Sequence, residues 1–518
     1  MEVCLSPAQM AAAEQFAVTR GISLETLMDN AGYALAGFVK NVCYRGMLRA
    51  VVLLCGKGNN GGDGLVCAQY LAAQYGIRPR VVLTHGAPSS APAAQALEKL
   101  RNAAPYIEIF DATAAGFSFA QALRGAQVLV DALFGTGFHG TPDAVTQEAL
   151  DAFSRSNAVK IACDAPSGLD CLTGKPAQHT PVCEYTVTFH APKIGMLLPA
   201  GRIVCGKITT VDIGIPEIPN HAAKISVVSS RAAASFLPPR PVDGHKGTFG
   251  TAVLICGSAR YTGAAAIACE AALRSGAGLV KLVTTTETAA AVRVRCPEAI
   301  VTAFEADADG SIPAAKTDEI VSLCENADAV LAGCGMGNTA STAAICAALL
   351  KRLACPLILD ADGITSLVPH IYVLDSTKAA VLLTPHPGEL ARLAGQARAD
   401  EAARLDCARE IALAHRCTVL AKGAGSFIAG QARTLFSAAG NTAQSKGASG
   451  DLLAGLLCGI AAQTARAGVF SPEGACALAA FLVGDAAQRL TERRSPRGVT
   501  AGDLLQLLPE SFAALETL

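Results

Sequence analysis

The hydrophobic positions of the chain fall into short apolar runs separated by longer alanine-rich stretches with helical spacing. Short apolar runs without a polar face are typical of parallel strands buried on both sides, with helices covering the sheet. In the first half the runs predict strands at Ala50–Cys55, Arg80–Thr84, Gln127–Val130, Val159–Cys163 and Tyr185–Phe189. In the second half they predict strands at Thr251–Cys256, Gly278–Val283, Asp328–Ala332, Pro356–Leu359, Ala380–Leu383 and Thr418–Ala421. Both halves are predicted to be α/β, and the first to be doubly wound.

A proline-rich segment separates the two series of elements. Residues 222–243 contain Pro238, Pro239 and Pro241, and prolines interrupt both helices and strands. At 518 residues the chain is too long for one hydrophobic core. We expect a first domain over residues 1–217, a linker over 218–237 and a second domain over 238–518.

Charge and aromatic content argue against nucleic-acid binding. The chain has 42 Lys and Arg against 43 Asp and Glu, and it has no Trp. Such a surface neither attracts a phosphate backbone nor offers stacking platforms for bases. No apolar stretch reaches membrane-spanning length. We therefore expect small-molecule chemistry, with no nucleic-acid partner and no membrane partner.

The 19 cysteines indicate a reducing environment. No Cys-x-x-Cys pair occurs, and the closest two, Cys163 and Cys171, are eight residues apart, which argues against zinc. Most of the cysteines lie in apolar runs, where a free thiol behaves as a small hydrophobic group. The N-terminus lacks the pattern of a signal peptide. We expect a cytoplasmic protein, and we expect it to form a homo-oligomer.

Two glycine-rich segments that end in carboxylates carry the strongest functional signal. Asn59–Gly64 reads Asn-Asn-Gly-Gly-Asp-Gly, and Lys446–Asp451 reads Lys-Gly-Ala-Ser-Gly-Asp. Each lies where a strand gives way to a helix, so free backbone N–H groups and the positive helix end can face an anion. Both halves are therefore predicted to bind phosphorylated ligands.

Two near matches to other nucleotide motifs are weaker. Gly56–Gly61 satisfies the Gly-x-Gly-x-x-Gly pattern, but residues 65–97 contain no Asp or Glu to hold a ribose, which disfavours an ordinary dehydrogenase. Gly201–Lys207 resembles a phosphate-binding P-loop, but Ile208 replaces the Ser or Thr that would hold magnesium. We interpret the second match as structural.

Two more acidic loops follow predicted strands of the first half. Asp131 opens the sequence Asp-Ala-Leu-Phe-Gly-Thr-Gly, and Asp164 opens Asp-Ala-Pro-Ser-Gly. Because the carboxyl ends of parallel strands meet at one edge, these loops should converge with Asn59–Gly64. Each loop alone could be a turn or a helix cap. Three at successive strand ends favour a site for a hard cation or sugar hydroxyls.

In these details the first half resembles the NAD(P)H-hydrate epimerase family over about residues 1–217. The shared motifs are GKGNNGGDGLVCAQYL, VDALFGTGFHG, DAPSGLDCLTG, HAPKIG and VDIGIP. The resemblance implies a Rossmann-like three-layer domain that binds a hydrated nicotinamide dinucleotide and holds potassium on Asn60, Asp131 and Ser167. The implied substrate contacts are Asn59, Asn60, Gly61, Gly62, Asp63, Gly135, Thr136, Gly137, Phe138, His139, Gly140 and Thr141.

The reaction of that family requires proton transfer at the hydrated ring. The C6 hydroxyl lies beside the ring nitrogen, so its departure or ring opening needs a group that donates and accepts a proton. Asp164 is our catalytic candidate. Lys193, within HAPKIG, is either a substrate contact through phosphate or a solvated lysine.

The second half resembles the ADP-dependent NAD(P)H-hydrate dehydratases of the ribokinase-like superfamily over about residues 238–510. The segments that carry the resemblance are His245–Gly250, Ser258–Ala264, Gly333–Gly337, Leu359–Asp362, Thr384–Glu389, Lys422–Ser426 and Ser449–Asp451. The resemblance implies substrate contacts at Ala264, Gly335, Gly337 and His386. It implies ADP contacts at Lys422, Gly423, Ala424, Gly425, Ser426 and Gly450.

Asp451 fits the role of a general base in that half. A hydroxyl that attacks a phosphoryl group must lose its proton, and Gly447–Gly450 would supply N–H dipoles before a helix at Leu452–Gln463. Alternatively, Asp451 is only a first-turn carboxylate on the helix dipole. His386 could likewise serve turn geometry, and Lys422–Ser426 could be a plain hairpin turn.

Three positions depart from the family pattern. The approach to the last loop, usually Gly-Asn-Pro-Gly-Met-Ala, continues here from Gly440-Asn441 as Thr442–Ser445. Ala448 stands where glycine is common, and Thr365 replaces a usual asparagine. These changes bear on the loop geometry and on the nucleotide preference.

The combined pattern predicts a bifunctional metabolite-repair enzyme. The first half would equilibrate the R and S epimers of hydrated NADH or NADPH. The second would dehydrate the S epimer at the expense of ADP, with Mg²⁺ neutralising the polyphosphate and AMP and phosphate as products. The alternative is a kinase for a vitamin-like alcohol joined to a non-catalytic nucleotide-binding module, because a fold alone does not decide function.

Overall fold

A computed structural model describes residues 2–216, 225–238, 240–395 and 401–518 of the chain. Two compact units are distinguished, one over Val3–Lys224 and one over Ile225–Leu518 together with Glu2. Residues 218–224 of the predicted linker, and Pro239, lie outside the described residues. Within the described part of the chain, no helix combines the length and apolar character needed to cross a bilayer.

The first unit alternates strands and helices along almost its whole length. Its strands are β1 Glu2–Cys4, β2 Val51–Cys55, β3 Arg80–Leu83, β4 Glu108–Asp111, β5 Val128–Ala132, β6 Val159–Cys163, β7 Tyr185–Phe189 and β8 Lys207–Val211. Its helices are α1 Pro7–Thr19, α2 Leu24–Gly46, α3 Asn59–Ala73, α4 Ala91–Ala103, α5 Phe119–Ala122, α6 Ala144–Arg155, α7 Ile194–Leu197 and α8 Pro199–Cys205.

The first sheet is parallel throughout, with the strand order β4-β3-β2-β5-β6-β7-β8. Side chains of a strand alternate between the two faces, and β2 shows the consequence. Val51 and Leu53 pack into the core that contains α2 and α3, whereas Val52 and Leu54 pack into the core that contains α6. Burial on both faces explains why β2 reads as a continuous apolar run.

The second unit has the same alternation followed by three long helices. Its strands are β9 Ile225–Val227, β10 Thr251–Ile255, β11 Leu279–Thr285, β12 Ile300–Phe304, β13 Ala329–Ala332, β14 Leu357–Leu359, β15 Val381–Leu383, β16 Thr418–Ala421, β17 Ser426–Ala429 and β18 Thr434–Ser437. Its helices are α9 Ser230–Ala234, α10 Thr262–Arg274, α11 Thr286–Arg295, α12 Thr317–Leu323, α13 Ala340–Arg352, α14 Asp362–Leu367, α15 Pro387–Leu393, α16 Glu401–Ala414, α17 Ser449–Arg466, α18 Pro472–Thr491 and α19 Ala501–Glu516.

The strands of the second unit from β9 onward are ordered β9-β18-β17-β16-β15-β14-β13-β10-β11-β12. The strands β10 to β16 pair in parallel, while β17 pairs antiparallel with both β16 and β18. Helix α17 packs closely on α10 at Gly455. A Cβ at this position would lie only 2.1 Å from the carbonyl oxygen of Ala268, so the contact requires glycine. This contact fixes the helix that begins at the predicted catalytic loop.

Most of the predicted strands are present with ends shifted by a residue or two. Three of them, β6, β7 and β16, have the predicted bounds. The strands that the sequence did not predict include β4, β8 and β12, which lie at sheet edges. Their side chains are only partly buried, so they lack the continuous apolar signature of central strands.

The linker prediction is wrong for residues 225–237. Ile225–Val227 forms β9 and pairs in parallel with β18, and Ser230–Ala234 forms α9. Ile225, Val228 and Ala233 are buried. The prolines after Leu237 therefore follow folded residues that belong to the second unit. The sequence did not reveal these elements, because a three-residue strand and a five-residue helix are too short to give a clear pattern.

Candidate active sites

The first predicted glycine-rich loop forms the opening turns of a helix. Helix α3 begins at Asn59, and its N-cap, Gly58, makes no side-chain capping bond. The helix start is pressed against the strand ends, since a Cβ on Gly61 would lie 1.9 Å from the carbonyl oxygen of Gly56. A Cβ on Gly58 would meet open space. Glycines thus allow the close packing, and the first N–H groups of α3 are left to receive an anion.

Asp131 and Ser167 form a buried pair at the carboxyl ends of β5 and β6. The hydroxyl of Ser167 donates to Oδ1 of Asp131 across 2.5 Å, and its backbone N–H donates to Oδ2 across 2.8 Å. Both residues are fully buried. Burial raises the pKa of Asp131 to about 6, although hydrogen bonds from Ser167 and Leu133 act in the opposite direction. The sequence correctly predicted that these two loops meet.

Asn60 faces the same corner of the site. Its Oδ1 and Nδ2 atoms are buried, and neither has a hydrogen-bond partner among the described residues. A Cβ on Gly135 would lie 3.2 Å from Oδ1 of Asn60 and 3.0 Å from Oδ2 of Asp164. A buried amide without a partner is costly. The amide of Asn60 is therefore suited to a ligand or an ion.

Asp164 is held by a buried lysine. Nζ of Lys193 lies 2.6 Å from Oδ1 of Asp164 and also donates to Thr188 and to the carbonyl oxygen of Phe189. Lys193 is fully buried. The sequence offered two interpretations of Lys193, a phosphate contact or a solvated lysine. The structure supports neither, because the buried ammonium donates its hydrogen bonds to acceptors inside the protein. Asp164 itself has a φ of 63°, an uncommon backbone conformation for an aspartate.

The loop after β5 approaches Asp164 from the other side. The backbone N–H of Thr136 donates to Oδ2 of Asp164 across 3.3 Å. Phe138, predicted to contact substrate, is mostly buried and packs against Phe134, with 5.4 Å between the ring centroids. The remaining residues of the predicted substrate loop after Thr136 are exposed at the rim: Gly137, His139, Gly140 and Thr141.

Two further carboxylates, those of Asp63 and Glu14, lie close enough to Asp164 to be affected by its charge. Burial and the charges of Asp164 and Glu14 raise the pKa of Asp63 well above its ordinary value, while Lys193 lowers it. Burial raises the pKa of Glu14, which lies on α1, and Asp164 adds to that effect. Glu14 was missed in the sequence, because a single glutamate in a helix carries no signal of its distant neighbours.

The second site is organised around Asp360, which is almost fully buried after β14. Its Oδ1 accepts from Nζ of Lys422 across 2.8 Å and from the hydroxyl of Thr384 across 2.6 Å. Burial alone would lower the pKa of Lys422, but the carboxylates of Asp360 and Glu389 outweigh it and raise the pKa. Asp360 was noticed only as part of a motif, yet it ties three strand ends together.

Asp451 lies in the first turn of α17, which begins at Ser449 and not at Leu452 as predicted. Burial and the charge of Asp360 raise the pKa of Asp451 to about 6, and Cys334 and Lys422 act in the opposite direction. The N-cap, Ala448, has a left-handed φ of 70°. Alanine thus occupies the conformation for which glycine is usual, as the departure from the family pattern suggested.

The predicted substrate residues of the second unit lie on neighbouring loops. A Cβ on Gly335 would lie 2.8 Å from the Cβ of Ala264, in the first turn of α10. The N–H of Gly337 donates to Oδ2 of Asp362 across 2.8 Å. Burial raises the pKa of Asp362. These loops belong to the ends of β13 and β14, next to Asp360.

His386 serves turn geometry in the structure. His386 is the N-cap of α15, and its Nδ1 accepts hydrogen bonds from the backbone N–H groups of Gly388 and Glu389. The carboxylate of Glu389 in turn accepts a hydrogen bond from the backbone N–H of His386. Since Nδ1 accepts, a neutral ring carries its proton on Nε2. Half of the side chain is exposed. A substrate contact through Nε2 stays a prediction.

The predicted nucleotide segment turns between β16 and β17. A Cβ on Gly450 would lie 3.3 Å from Nζ of Lys422, so this hairpin turn adjoins the start of α17. Nη2 of Arg404, on α16, donates to the carbonyl oxygen of Lys422 across 2.6 Å. The guanidinium lies beside Gly423. Arg404 was not singled out in the sequence, where it is one basic residue in an ordinary helical pattern.

Two family models match the chain. The family described as NAD(P)H-hydrate dehydratase matches residues 252–510, and the family described as YjeF-related protein N-terminus matches residues 24–195. The bifunctional NAD(P)H-hydrate repair enzyme Nnr of Moorella thermoacetica is 31% identical over 506 residues, covering 95% of this chain and 92% of the relative. That of Salinibacter ruber is 33% identical over 529 residues, covering 98% and 96%. The chain belongs to the family of bifunctional NAD(P)H-hydrate repair enzymes.

Two solved structures are similar to part of the chain. A ribokinase-like superfamily protein from Enterococcus faecalis V583 is 25% identical and has a TM-score of 0.49, covering 58% of this chain and 99% of its own. The ADP/ATP-dependent NAD(P)H-hydrate dehydratase of Bacillus subtilis, co-crystallised with ATP and Mg²⁺, is 26% identical and has a TM-score of 0.48, covering 56% and 99%. The family models and the relatives confirm the family predicted from the sequence, and the alternation of strands and helices in both units confirms the α/β fold class.

One family motif lies away from the second site. His245–Gly250 precedes β10, and the carbonyl oxygen of Gly247 accepts from Nε of Arg466, at the last residue of α17. Asp451 lies in the first turn of the same helix, roughly 22 Å away at the helical rise per residue. The His245–Gly250 motif therefore lies near the end of α17 opposite to Asp451.

The other two departures from the family pattern form local hydrogen bonds. Asn441 accepts from the N–H of Ala443 across 3.0 Å and donates to the hydroxyl of Thr491 across 2.8 Å. The hydroxyl of Thr365 donates to the carbonyl oxygen of Ala361, one turn earlier in α14. The altered segment before Ala448 is thus a capped turn anchored on α18.

Proposed function

We propose that this chain repairs hydrated NADH and NADPH in two steps, one in each unit. The supporting observation is a buried acid beside a lysine at the carboxyl ends of each sheet, Asp164 with Lys193 and Asp360 with Lys422. Each pair adjoins a helix start, of α3 or α17, that can receive phosphate. Family membership indicates the substrate class.

In the first unit we assign proton transfer at the hydrated ring to Asp164. Epimerisation requires C6 to become planar, so the bond that holds the hydroxyl, or the ring bond to nitrogen, must break and re-form on the other face. Asp164 would return the proton that it accepts. Lys193 is a positioning residue, because its ammonium holds Oδ1 and leaves Oδ2 toward the loop after β5.

Potassium is assigned to Asn60, Asp131 and Ser167. Amide, carboxylate and hydroxyl oxygens suit a hard cation, and the buried amide of Asn60 has no partner among the described residues. When bound, potassium would compensate the buried charge of Asp131 and orient the glycine-rich helix start. The first N–H groups of α3 would then hold the substrate's pyrophosphate.

In the second unit we assign Asp451 as general base. The C6 hydroxyl would attack the terminal phosphoryl group of ADP, its proton would pass to Asp451, and AMP would leave. The phosphate ester would then depart from C6 as phosphate, and loss of a ring proton would restore the reduced cofactor. Gly447–Gly450 and Lys422 would face the phosphates, and Mg²⁺ would neutralise their charge when bound.

The nucleotide segment Lys422–Ser426 and Gly450 are assigned to ADP, and Ala264, Gly335, Gly337 and His386 to the hydrated dinucleotide. Support comes from Gly450, on which a Cβ would lie 3.3 Å from Nζ of Lys422 and 3.8 Å from Oδ2 of Asp360, and from the contact between Gly335 and Ala264. The 19 cysteines are all free thiols, which fits a cytoplasmic setting. A homo-oligomer stays a prediction, and the molar mass in solution, compared with 52.8 kDa for one chain, would measure it.

The deciding experiment is recovery of NADPH. Hydrated NADPH is incubated with the whole protein and Mg²⁺, with ADP or with ATP, and the absorbance of reduced nicotinamide is followed. We expect recovery with ADP and with both epimers. If a nucleoside triphosphate is consumed while the hydrate is unchanged, and vitamin-like alcohols are phosphorylated, the kinase alternative replaces this proposal.

A further inference from the structure

A cysteine thiol lies between the two carboxylates of the second site. Cys334, which follows β13, is fully buried, and its Sγ atom lies 3.6 Å from Oδ2 of Asp360. One ligand atom each from Cys334, Asp360 and Asp451 can be chosen so that all three lie within 4.8 Å of one another. The three residues come from three different loops, so the fold and not local sequence brings them together.

The distance between Sγ of Cys334 and Oδ2 of Asp360 suits two ligands of a tetrahedral ion. Zinc binds sulfur at about 2.3 Å and carboxylate oxygen at about 2.1 Å, which places two such ligands about 3.6 Å apart at a tetrahedral angle. Lys422 bonds to Oδ1 of Asp360, so it leaves Oδ2 for an ion. Asp451 is partly exposed, whereas Cys334 and Asp360 are buried, so an ion would enter on the Asp451 side.

The charges also favour a divalent cation. With the thiol neutral, two carboxylates face one another with a single ammonium, that of Lys422. A bound divalent ion that displaces the thiol proton would add one net positive charge beside these two carboxylates. Such neutralisation offsets the cost of burying like charges together.

We propose that Cys334, Asp360 and Asp451 form a binding site for a thiophilic divalent cation, with Zn²⁺ as the fitting ion. A thiolate ligand selects against Mg²⁺ and Ca²⁺, which prefer oxygen. The ion would bind the carboxylate of Asp451, which is assigned above as the general base. Zinc would therefore inhibit the dehydratase reversibly, a consequence that rests on the proposed function, whereas the binding itself does not.

Cadmium is a direct probe, because its bond to thiolate absorbs in the ultraviolet. We expect the whole protein, without nucleotide, to bind one Cd²⁺ per chain with this absorbance and to release it to EDTA. Cys334→Ser should abolish the absorbance. Asp451→Asn, which keeps the thiol, should weaken binding at least about 10-fold. Cys355→Ser is the matched control, since Cys355 is the cysteine of the 19 that is not fully buried.

The outcomes separate the site from adventitious thiol binding. Absorbance that persists in Cys334→Ser, or that disappears in Cys355→Ser, overturns the proposal. Zinc should also inhibit ADP-dependent recovery of NADPH, and Cys334→Ser should raise the zinc concentration for half-inhibition at least about 10-fold relative to its own uninhibited rate. If the protein shows no dehydration at all, the cadmium titration still decides the site, so failure of the two proposals can be told apart.

Discussion

The ammonium of Lys193 lies 2.6 Å from the carboxylate of Asp164, with the lysine fully buried. The second unit repeats the arrangement, with Nζ of Lys422 lying 2.8 Å from Asp360. A buried carboxylate needs a partner charge and hydrogen bonds to stay ionised. Both units therefore place a lysine ammonium beside the buried acid at their strand ends.

Removing the lysine of the first pair should destabilise the first unit. Lys193→Met leaves Asp164 as an uncompensated buried charge, which costs about 3–5 kcal/mol. Hydrogen exchange of the β6 and β7 amides in the whole chain would measure the loss.

Lys99→Met is the matched control for this change. Lys99 is exposed on α4, so its removal should change the opening free energy by no more than about 0.5 kcal/mol. Equal effects of the two variants would show that the ion pair is not what stabilises this region.

The dehydration rate should rise as pH passes through about 6. A general base acts only when deprotonated, and burial with the charge of Asp360 raises the pKa of Asp451 to about 6. The fall of kcat/KM at acidic pH reports the pKa of Asp451 in the free enzyme, and we call this fall the acidic limb. Asp360→Asn removes a charge that raises this pKa, so the limb should move to lower pH. Asp318→Asn, at an exposed surface pair, should leave the limb in place.

Potassium should stabilise the first unit only when Asp131 is ionised. Its folded pKa of about 6 lies above that of an unfolded aspartate, so the stability it contributes is present at low pH and is lost as pH rises through 6. Potassium on the carboxylate would offset that loss. We expect KCl to raise the thermal midpoint at pH 7.5, relative to tetramethylammonium chloride at equal ionic strength, and to have little effect at pH 5. The same shift in Asp131→Asn would remove the potassium assignment.

Ala448→Gly should stabilise the second unit. Ala448 has a φ of 70°, and left-handed backbone costs an alanine roughly 1–2 kcal/mol. Glycine relieves that cost but gains freedom in the unfolded chain, so the expected net gain is about 0.5–1 kcal/mol. Ala347→Gly, at an exposed position inside α13, should instead cost about 0.5–1 kcal/mol. Chemical denaturation that gives both changes the same sign would contradict the role of the left-handed cap.

The sequence predicted central strands and motif loops well because both are local signals. The bounds of β6, β7 and β16 agree with the apolar runs, and Asp131 and Ser167 meet as loops at neighbouring strand ends should. Asn59–Gly64 was taken for a loop because asparagine and glycine are poor helix formers. In the structure it opens α3, where close packing on Gly56 requires glycine.

Non-local partners could not be predicted from motifs. Lys193 and Asp164 are 29 positions apart, and Lys422 and Asp360 are 62 apart. Nothing in the spacing of either pair indicates contact, because only the fold brings them together. Likewise, burial and the charge of Asp164, which is distant in the sequence, raise the pKa of Glu14 on α1. Sequence therefore identified the chemistry-bearing loops but not the cations that hold their acids.

The most direct test of two independent active sites uses one assay on two variants of the whole chain. The R hydrate of NADPH is supplied with ADP and Mg²⁺, the epimers are separated by chromatography, and recovery of NADPH is followed. Asp451→Asn should lower dehydration about 100-fold to 10,000-fold while the epimers still interconvert. Asp164→Asn should lower interconversion but leave dehydration of purified S hydrate unchanged. Dehydration by Asp451→Asn within a few-fold of the unmodified protein would show that Asp451 is only a helix-start carboxylate and would contradict the account.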